Sequence, residues 1–146
     1  MAHVRKNLRD WLKDNLAGST AAGDRVFVRR QLPLEKDFEP TLLISIENER
    51  SADQSMDGLQ MRAAAVRITA CVKDDSESGE DMLDELAAFV EGVFADDPTL
   101  GGNADTYEYQ ATEFAFTAAG EKTLCTAALT FAVTMLTNRA DPETLI

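Results

Sequence analysis

The sequence predicts an α+β fold, in which two helices pack on one face of a largely antiparallel sheet of about five strands. Two segments repeat apolar residues at helical spacing, and five others have the apolar pattern of strands. They follow one another as helix, three strands, helix and two strands. With 146 residues and a hydrophobic content of 45%, the chain is expected to fold as one domain over residues 1–146, because a chain this long buries roughly two thirds of its unfolded surface.

The first helix is predicted from about His3 to Leu16. Apolar residues recur along it at helical spacing, and basic residues are offset from them. The apolar residues are Val4, Leu8, Trp11, Leu12 and Leu16. We expect Trp11 to dock into the core and to anchor this helix, since truncating a buried large aromatic side chain typically costs ~3 to 5 kcal/mol. Gly18 is expected to end the helix.

Three strands are predicted between the two helices. The first covers residues 25–30 and has an apolar centre with basic ends. Pro33 and Pro40 then bracket a loop, because proline cannot donate a hydrogen bond to a sheet ladder. The second strand covers residues 41–47 and the third covers residues 59–73, each with apolar residues on alternate positions.

Two features interrupt this strand pattern. Residues 48–58 are almost all polar, which predicts an exposed and flexible loop. The apolar residues of the third strand also change parity between Met61 and Val66. Because side chains alternate strictly between the two faces of a sheet, this change predicts a bulge near residues 63–65 or a passage between two packing environments.

The second helix is predicted to begin near Ser78 and to end before Pro98. Seven carboxylates lie between Asp74 and Glu85, where the helix dipole favours negative charge. Two strands follow, over residues 107–117 and 122–137, and a tight hairpin at Gly120 joins them.

The last strand presents a small and flat face of alternating Thr and Ala residues. Its other face carries large apolar residues and is expected to lie in the core. The small face is either thinly solvated or packed against a neighbouring molecule. Residues 138–146 are expected to form a C-terminal tail.

Charge is divided sharply along the chain. Residues 1–73 carry 12 Lys and Arg against 10 Asp and Glu, whereas residues 74–146 carry 2 against 16. A chain with a mildly basic half and a strongly acidic half can be complementary to another copy of itself, and a head-to-tail contact closes into a ring when its rotation allows. The net charge of −12 argues against a protein that grips nucleic-acid phosphates, although DNA could still pass an acidic wall without binding.

The sequence predicts neither an enzyme nor a metal or cofactor site. His3 is the only histidine and lies near the terminus, so a nucleophilic centre lacks a well-held base. A partial calcium-loop pattern begins at Asp53, but its twelfth position is Ala64 where a bidentate Glu is needed. Cys71 and Cys125 lie in apolar segments and are expected to be reduced core thiols in a cytoplasmic protein. No signal peptide or membrane span is expected.

Several short strings then suggest a family. They are Gly23 to Leu34, Leu42 to Ile46, Met61 to Ile68, Asp84 to Leu86, Asp97 to Gly102 and Ala127 to Val133. In this order, and together with the N-terminal amphipathic helix, they resemble the tail terminator proteins of long-tailed bacteriophages, the minor tail protein U type. The resemblance covers nearly the whole chain, and it depends on the order of the strings.

The resemblance implies a structural protein that forms a homohexameric ring on the head-proximal end of the tail tube. The ring would end tube polymerisation and provide the head-joining surface. The implied partners are other copies of the chain, the tail-tube protein and the head–tail connector protein, with DNA only as passing cargo in the lumen. The implied location is the virion tail, assembled in the bacterial host cytoplasm. Two alternatives remain open, a head-completion or neck adaptor protein of the same virion and a non-viral acidic cytoplasmic binding module.

We expect the contact between copies, or with the tube, to join basic to acidic residues. The candidates are Arg25, Arg29, Arg30, Asp74, Asp75, Glu77, Glu80 and Asp81. The alternative is that all of them are solvated, since exposed ion pairs contribute only ~0 to 1 kcal/mol each.

Overall fold

The computed structural model describes residues 2–18, 22–23, 25–28, 40–53, 58–73, 77–119 and 122–146. These residues form two helices and a six-stranded, mostly antiparallel sheet, which is the predicted α+β class. The elements are α1 (Val4–Leu16), β1 (Val26–Val28), β2 (Thr41–Asp53), β3 (Leu59–Lys73), α2 (Glu77–Asp96), β4 (Thr106–Ala119), β5 (Lys122–Asn138) and β6 (Asp141–Leu145).

The strands lie in the order β1-β2-β3-β5-β4, and β6 pairs with the last residues of β5. Only β1 and β2 are parallel, and every other pair is antiparallel. The central pair is β3 and β5, whose register runs from Leu59 opposite Asn138 to Lys73 opposite Leu124 without a shift. This ladder forms the middle of the sheet, and β1 and β4 end the strand order on its two sides.

Both helices pack on one face of the sheet and enclose a single core. Helix α1 contacts β1, β2 and β6, whereas α2 contacts β3 and β5. In the core, the Phe94 ring of α2 stacks on the Phe131 ring of β5, with their centroids 3.8 Å apart. Helix α1 buries the stripe Val4, Leu8, Leu12 and Leu16, so the predicted helical period is confirmed.

The bulge that the change of parity predicted near residues 63–65 does not occur in β3. Even-numbered residues of β3 from Ala64 to Val72 are all buried, and β3 pairs with β5 without interruption. The bulge lies in the partner strand β2, between Ile46 and Asn48, opposite Val66 and Ala65. The apolar pattern of β3 changes because Arg62 occupies the helix face near the start of the strand, where it is paired with Glu49.

Two predicted irregular segments are largely strand. Residues 48–53 continue β2 to Asp53, so the prediction of a flexible loop over residues 48–58 was wrong for that part; residues 54–57 lie outside the described residues. Apart from Glu49, the side chains of residues 48–53 are exposed. The predicted C-terminal tail contains β6, which pairs with Thr137 and Asn138 of β5.

Trp11 packs against the core from its edge and is only partly buried. It lies on Gly101, whose φ of +70° is in the left-handed region. A Cβ atom at Gly101 would lie 2.1 Å from Trp11 Nε1, so no side chain fits there without displacement of the indole. Trp11 therefore anchors α1 to the turn that follows α2, and it contributes less than a fully buried aromatic residue would.

Gly101→Ala is expected to destabilise the fold for two separable reasons. A left-handed conformation costs a non-glycine residue ~1 to 2 kcal/mol, and the overpacking against Trp11 adds ~1 to 3 kcal/mol. Gly102→Ala is the matched control, because Gly102 has a φ of +81° and a methyl group added there would meet no neighbouring side chain within 4 Å. In a Trp11→Ala background, the cost of Gly101→Ala measured by urea unfolding should fall to that of Gly102→Ala. An unchanged cost would show that the indole does not occupy this position.

Candidate interaction surfaces

The described residues offer little for catalysis. No group of three or more His, Cys, Asp or Glu side chains among them is placed to hold a metal ion. Cys71 and Cys125 are free and buried, as predicted. They cannot bond to each other across the sheet, because Cys71 lies opposite Thr126 and Cys125 opposite Val72, which puts the two side chains on opposite faces. Burial raises the pKa of the Cys71 thiol to about 12, so the thiol stays protonated and unreactive at neutral pH.

His3 has a structural role as the N-cap of α1. Its Nδ1 atom accepts a hydrogen bond from the backbone N–H of Arg5 at 3.1 Å. Burial lowers the pKa of His3, and the nearby guanidinium groups of Arg5 and Arg62 lower it further. The neutral imidazole that this cap requires is therefore favoured at pH 7. None of the helices in the described ranges is both long enough and apolar enough to cross a lipid bilayer.

Charge is separated across the helix layer. Helix α1 carries four basic and two acidic residues, whereas α2 carries seven acidic residues and no basic one. The described acidic residues of α2 are all exposed, namely Glu80, Asp81, Asp84, Glu85, Glu91 and Asp96. Helix α1 contacts β1, β2 and β6, whereas α2 contacts β3 and β5, so the basic helix and the acidic helix lie over different strands of the same face. The charge division along the sequence is only partly a division in space, because Asp141 and Glu143 of β6 lie on the α1 side.

A partly buried ion pair joins the strands beneath the first turn of α1. Arg62 of β3 donates from Nη1 to Glu49 Oε2 of β2 at 3.0 Å, and each side chain is only 11% exposed. Arg62 also donates from Nε to Thr137 Oγ1 of β5 at 3.1 Å. Arg5 of α1 lies 3.6 Å from the same Glu49 oxygen. This cluster joins three strands to the first turn of α1, so it fixes where the basic helix lies.

The predicted interface residues lie on both sides of the sheet. Arg25 directly precedes β1 and donates from Nε to the carbonyl oxygen of Pro40 at 2.9 Å. Glu80 and Asp81 are exposed in the first turns of α2. Arg29, Arg30, Asp74 and Asp75 lie outside the described residues, as does the side chain of Glu77. The described basic and acidic candidates therefore belong to opposite sides of one molecule, an arrangement that suits a contact between copies.

Sequence reasoning missed two exposed aromatic residues. Phe114 and Phe116 of β4 are 55% and 52% exposed, and with Leu83, Glu80 and Asp84 they line a cavity of about 300 Å³. Both lie on the helix face, since they are opposite the buried residues Ala127 and Cys125 of β5. Their spacing of two residues is typical of a buried strand face. No local pattern indicated that α2 would leave them uncovered.

The small face of the sheet lies opposite the helices. On β5 it is formed by Thr126, Ala128, Thr130, Ala132 and Thr134, all of which are partly exposed. Ala111, Glu113 and Ala115 of β4 extend this face and are exposed. The face is flat, and it is less polar than the exposed surface of α2.

Comparison with known proteins identifies no family, since the sequence matches no protein-family model and no curated protein. Function is therefore inferred from these surfaces and from the order of the short sequence strings.

The Glu49–Arg62 pair generates a stability prediction. Glu49→Gln should destabilise the fold by ~1 to 3 kcal/mol, because removing the charge of one partner of a partly buried ion pair leaves the other charge uncompensated. The control is Asp53→Asn, since Asp53 and Arg139 form a pair that is 58% and 49% exposed, and such pairs contribute ~0 to 1 kcal/mol. Urea unfolding measures both effects. Equal, small losses would contradict the role assigned to the buried pair.

The division of charge generates an assembly prediction. The double variant Glu80→Lys, Asp84→Lys reverses charge on the acidic side, and Arg9→Glu, Lys13→Glu reverses it on the basic side. Each pair of substitutions should weaken self-association in the presence of magnesium ions, because like charges would then face each other across the contact. The four substitutions together should partly restore it. Arg139→Glu, in the turn between β5 and β6, is the control.

Sedimentation measures the association, and circular dichroism checks that each variant is folded. Association that is unchanged in both double variants would show that these charges are only solvated.

Proposed function

We propose that this protein is a structural subunit of a bacteriophage tail, which forms a ring on the head-proximal end of the tail tube. The observation that carries the proposal is that, on one face of the sheet, the basic helix α1 lies against β1 and β2 whereas the acidic helix α2 lies against β3 and β5. Such a subunit can bind its own copy head to tail, and contacts of this kind generate closed rings. The resemblance to tail terminator proteins supplies the expected number of six copies and the position on the tail.

The proposed ring acts by covering a surface. A tube end that is covered by the ring offers no free surface to the next tail-tube subunit, so polymerisation stops. The outer surface of the same ring is then available to the head–tail connector protein. This activity is stoichiometric, because one ring acts on one tube, and it requires no substrate, metal or cofactor.

The strong negative charge fits a ring through which DNA passes. A net charge of −12 per chain repels phosphates, so DNA would be a passing cargo instead of a bound ligand. The same charge opposes assembly of free subunits. Screening by salt or divalent ions lowers that repulsion. We therefore propose that the ring forms on the tube in the host cytoplasm, becomes part of the virion tail, and forms in free solution only when magnesium is present.

Tube length is the readout that tests this function. When the protein is added in increasing amounts to polymerising tail-tube protein, electron microscopy should show that growth stops once there is one ring for each tube end. Phage that lack the protein should have overlong or variable tails without heads, and adding the protein back should restore joining.

Other outcomes would favour the alternatives. Tails of normal and uniform length that fail only to join heads would overturn the terminator function in favour of a neck adaptor. Normal infectious particles without the protein would overturn both, and would favour the acidic binding module. The matched control for the titration is the Glu80→Lys, Asp84→Lys variant, which should stay folded and should not stop growth.

A further inference from the structure

Strand β4 ends the sheet, and none of the described strands pairs with its outer edge. It is 14 residues long, and within the described ranges it pairs only with β5. A long edge strand presents unpaired backbone N–H and C=O groups, and proteins commonly protect such edges with Lys, Pro or a covering segment. Strand β4 contains neither Lys nor Pro, and its bulge lies between Tyr109 and Ala111, so that residues 111–119 form an unbroken edge. This edge is therefore a template for another strand.

The exposed large hydrophobic side chains of the strands all lie on the two outer strands and on one face. They are Val28 of β1 and Tyr109, Phe114 and Phe116 of β4. Val28 lies opposite Ile44, and Tyr109 lies opposite Phe131, two core residues on the helix face. If the sheet continued from β4 of one copy into β1 of the next, these side chains would meet on the same face.

The acidic surroundings of β4 disfavour pairing of β4 with itself. The sequence has no Lys or Arg between Lys73 and Lys122, and Glu80 and Asp84 line the cavity beside Phe114 and Phe116. Glu108 and Glu113 of β4 are exposed. Two β4 strands side by side would oppose like charges, which is destabilising across strands. A strand with basic flanks fits this edge instead.

Strand β1 has the basic flanks that suit the acidic edge of β4, and it lies at the other end of the strand order. It consists of Val26, Phe27 and Val28, preceded by Arg25 and followed in the sequence by Arg29 and Arg30. The basic helix α1 contacts β1. A neighbour that docked through β1 would therefore bring its α1 beside the acidic α2.

The directions of the strands favour the same contact. Because β1 and β2 are parallel and each later pair is antiparallel, β1 runs opposite to β4. In a ring whose axis follows the strands, every copy has the same orientation along the axis. Strand β4 of one copy then meets β1 of the next in an antiparallel arrangement, which is slightly the more stable kind of pairing.

We propose that copies of this chain join by pairing β4 of one copy with β1 of the next, so that Val28 covers Phe114 and Phe116 and the sheet continues around the ring. This inference rests on the proposed ring. It names the surface by which the ring is built, and it gives the exposed aromatic residues a function that the sequence did not indicate.

Cysteine cross-linking tests the contact. Val28→Cys and Phe116→Cys are introduced separately and together, and the protein is assembled on tail tubes or in magnesium before mild oxidation. A disulfide needs Cβ atoms about 3.5 to 4.5 Å apart, so a second pair, Val28→Cys with Phe114→Cys, covers a shift of two residues in the register. The wild type is the control, because Cys71 and Cys125 are buried.

The expected result is a ladder of cross-linked chains that reaches six, in a double variant only. Each single variant should remain monomeric on a denaturing gel. Dimers from Phe116→Cys alone would show that two β4 strands pair with each other and would overturn the inference. A six-chain assembly by native mass spectrometry without a cross-link from either pair would also overturn it, and would leave the proposed ring intact. Failure to find any six-chain assembly, on tubes or in magnesium, would instead overturn the proposed function.

Discussion

The uninterrupted ladder between β3 and β5 is the interaction on which the rest of the structure depends. It pairs residues 59–73 with residues 124–138 without a shift in register. Because the alternation of side chains is never broken, Val66, Ile68, Leu129 and Phe131 all reach the same face and are buried there. Helix α2 packs on that face through Phe94. The ladder thereby fixes α2 over β3 and β5, and α1 packs beside it on the same face, against β1, β2 and β6.

This placement decides what the surface can do. The partly buried Glu49–Arg62 pair holds the first turn of α1 against the strands, and α2 places its acidic residues over β3 and β5 on the same face. Between copies of the chain, the burial of apolar side chains contributes more to the free energy of association than exposed ion pairs do. Burying a Phe side chain is worth ~1.5 to 3 kcal/mol, whereas an exposed ion pair is worth ~0 to 1 kcal/mol. In the proposed contact, Phe114 and Phe116 would supply most of the affinity, and the charges would select the partner and its orientation. Association itself costs at least ~4 kcal/mol, which agrees with a ring that needs the tube as a template.

The buried residues of the helices and strands could be predicted from the sequence, because apolar residues recur at the positions that face the core. Both helices, the hairpin of β4 and β5, and the burial of the two cysteines were predicted from local apolar and turn patterns, whereas the central pairing of β3 with β5 was not predicted. The missed features depend on tertiary contacts. Residues 48–53 are polar strand residues because Glu49 pairs with Arg62 across the sheet, and β6 forms because β5 extends past the end of β4. The exposure of Phe114 and Phe116 depends on how far α2 reaches. Local spacing contains none of this information.

The most direct test of the account is to find where the protein lies on a tail tube. Purified tubes would be mixed with protein that carries a small gold label, and labelled ends would be counted and averaged by electron microscopy. The account predicts a ring with six-fold symmetry at one end of each tube, always the end that joins the head, and no label along the side. Label along the tube wall, at both ends equally, or on no tube at all would contradict it.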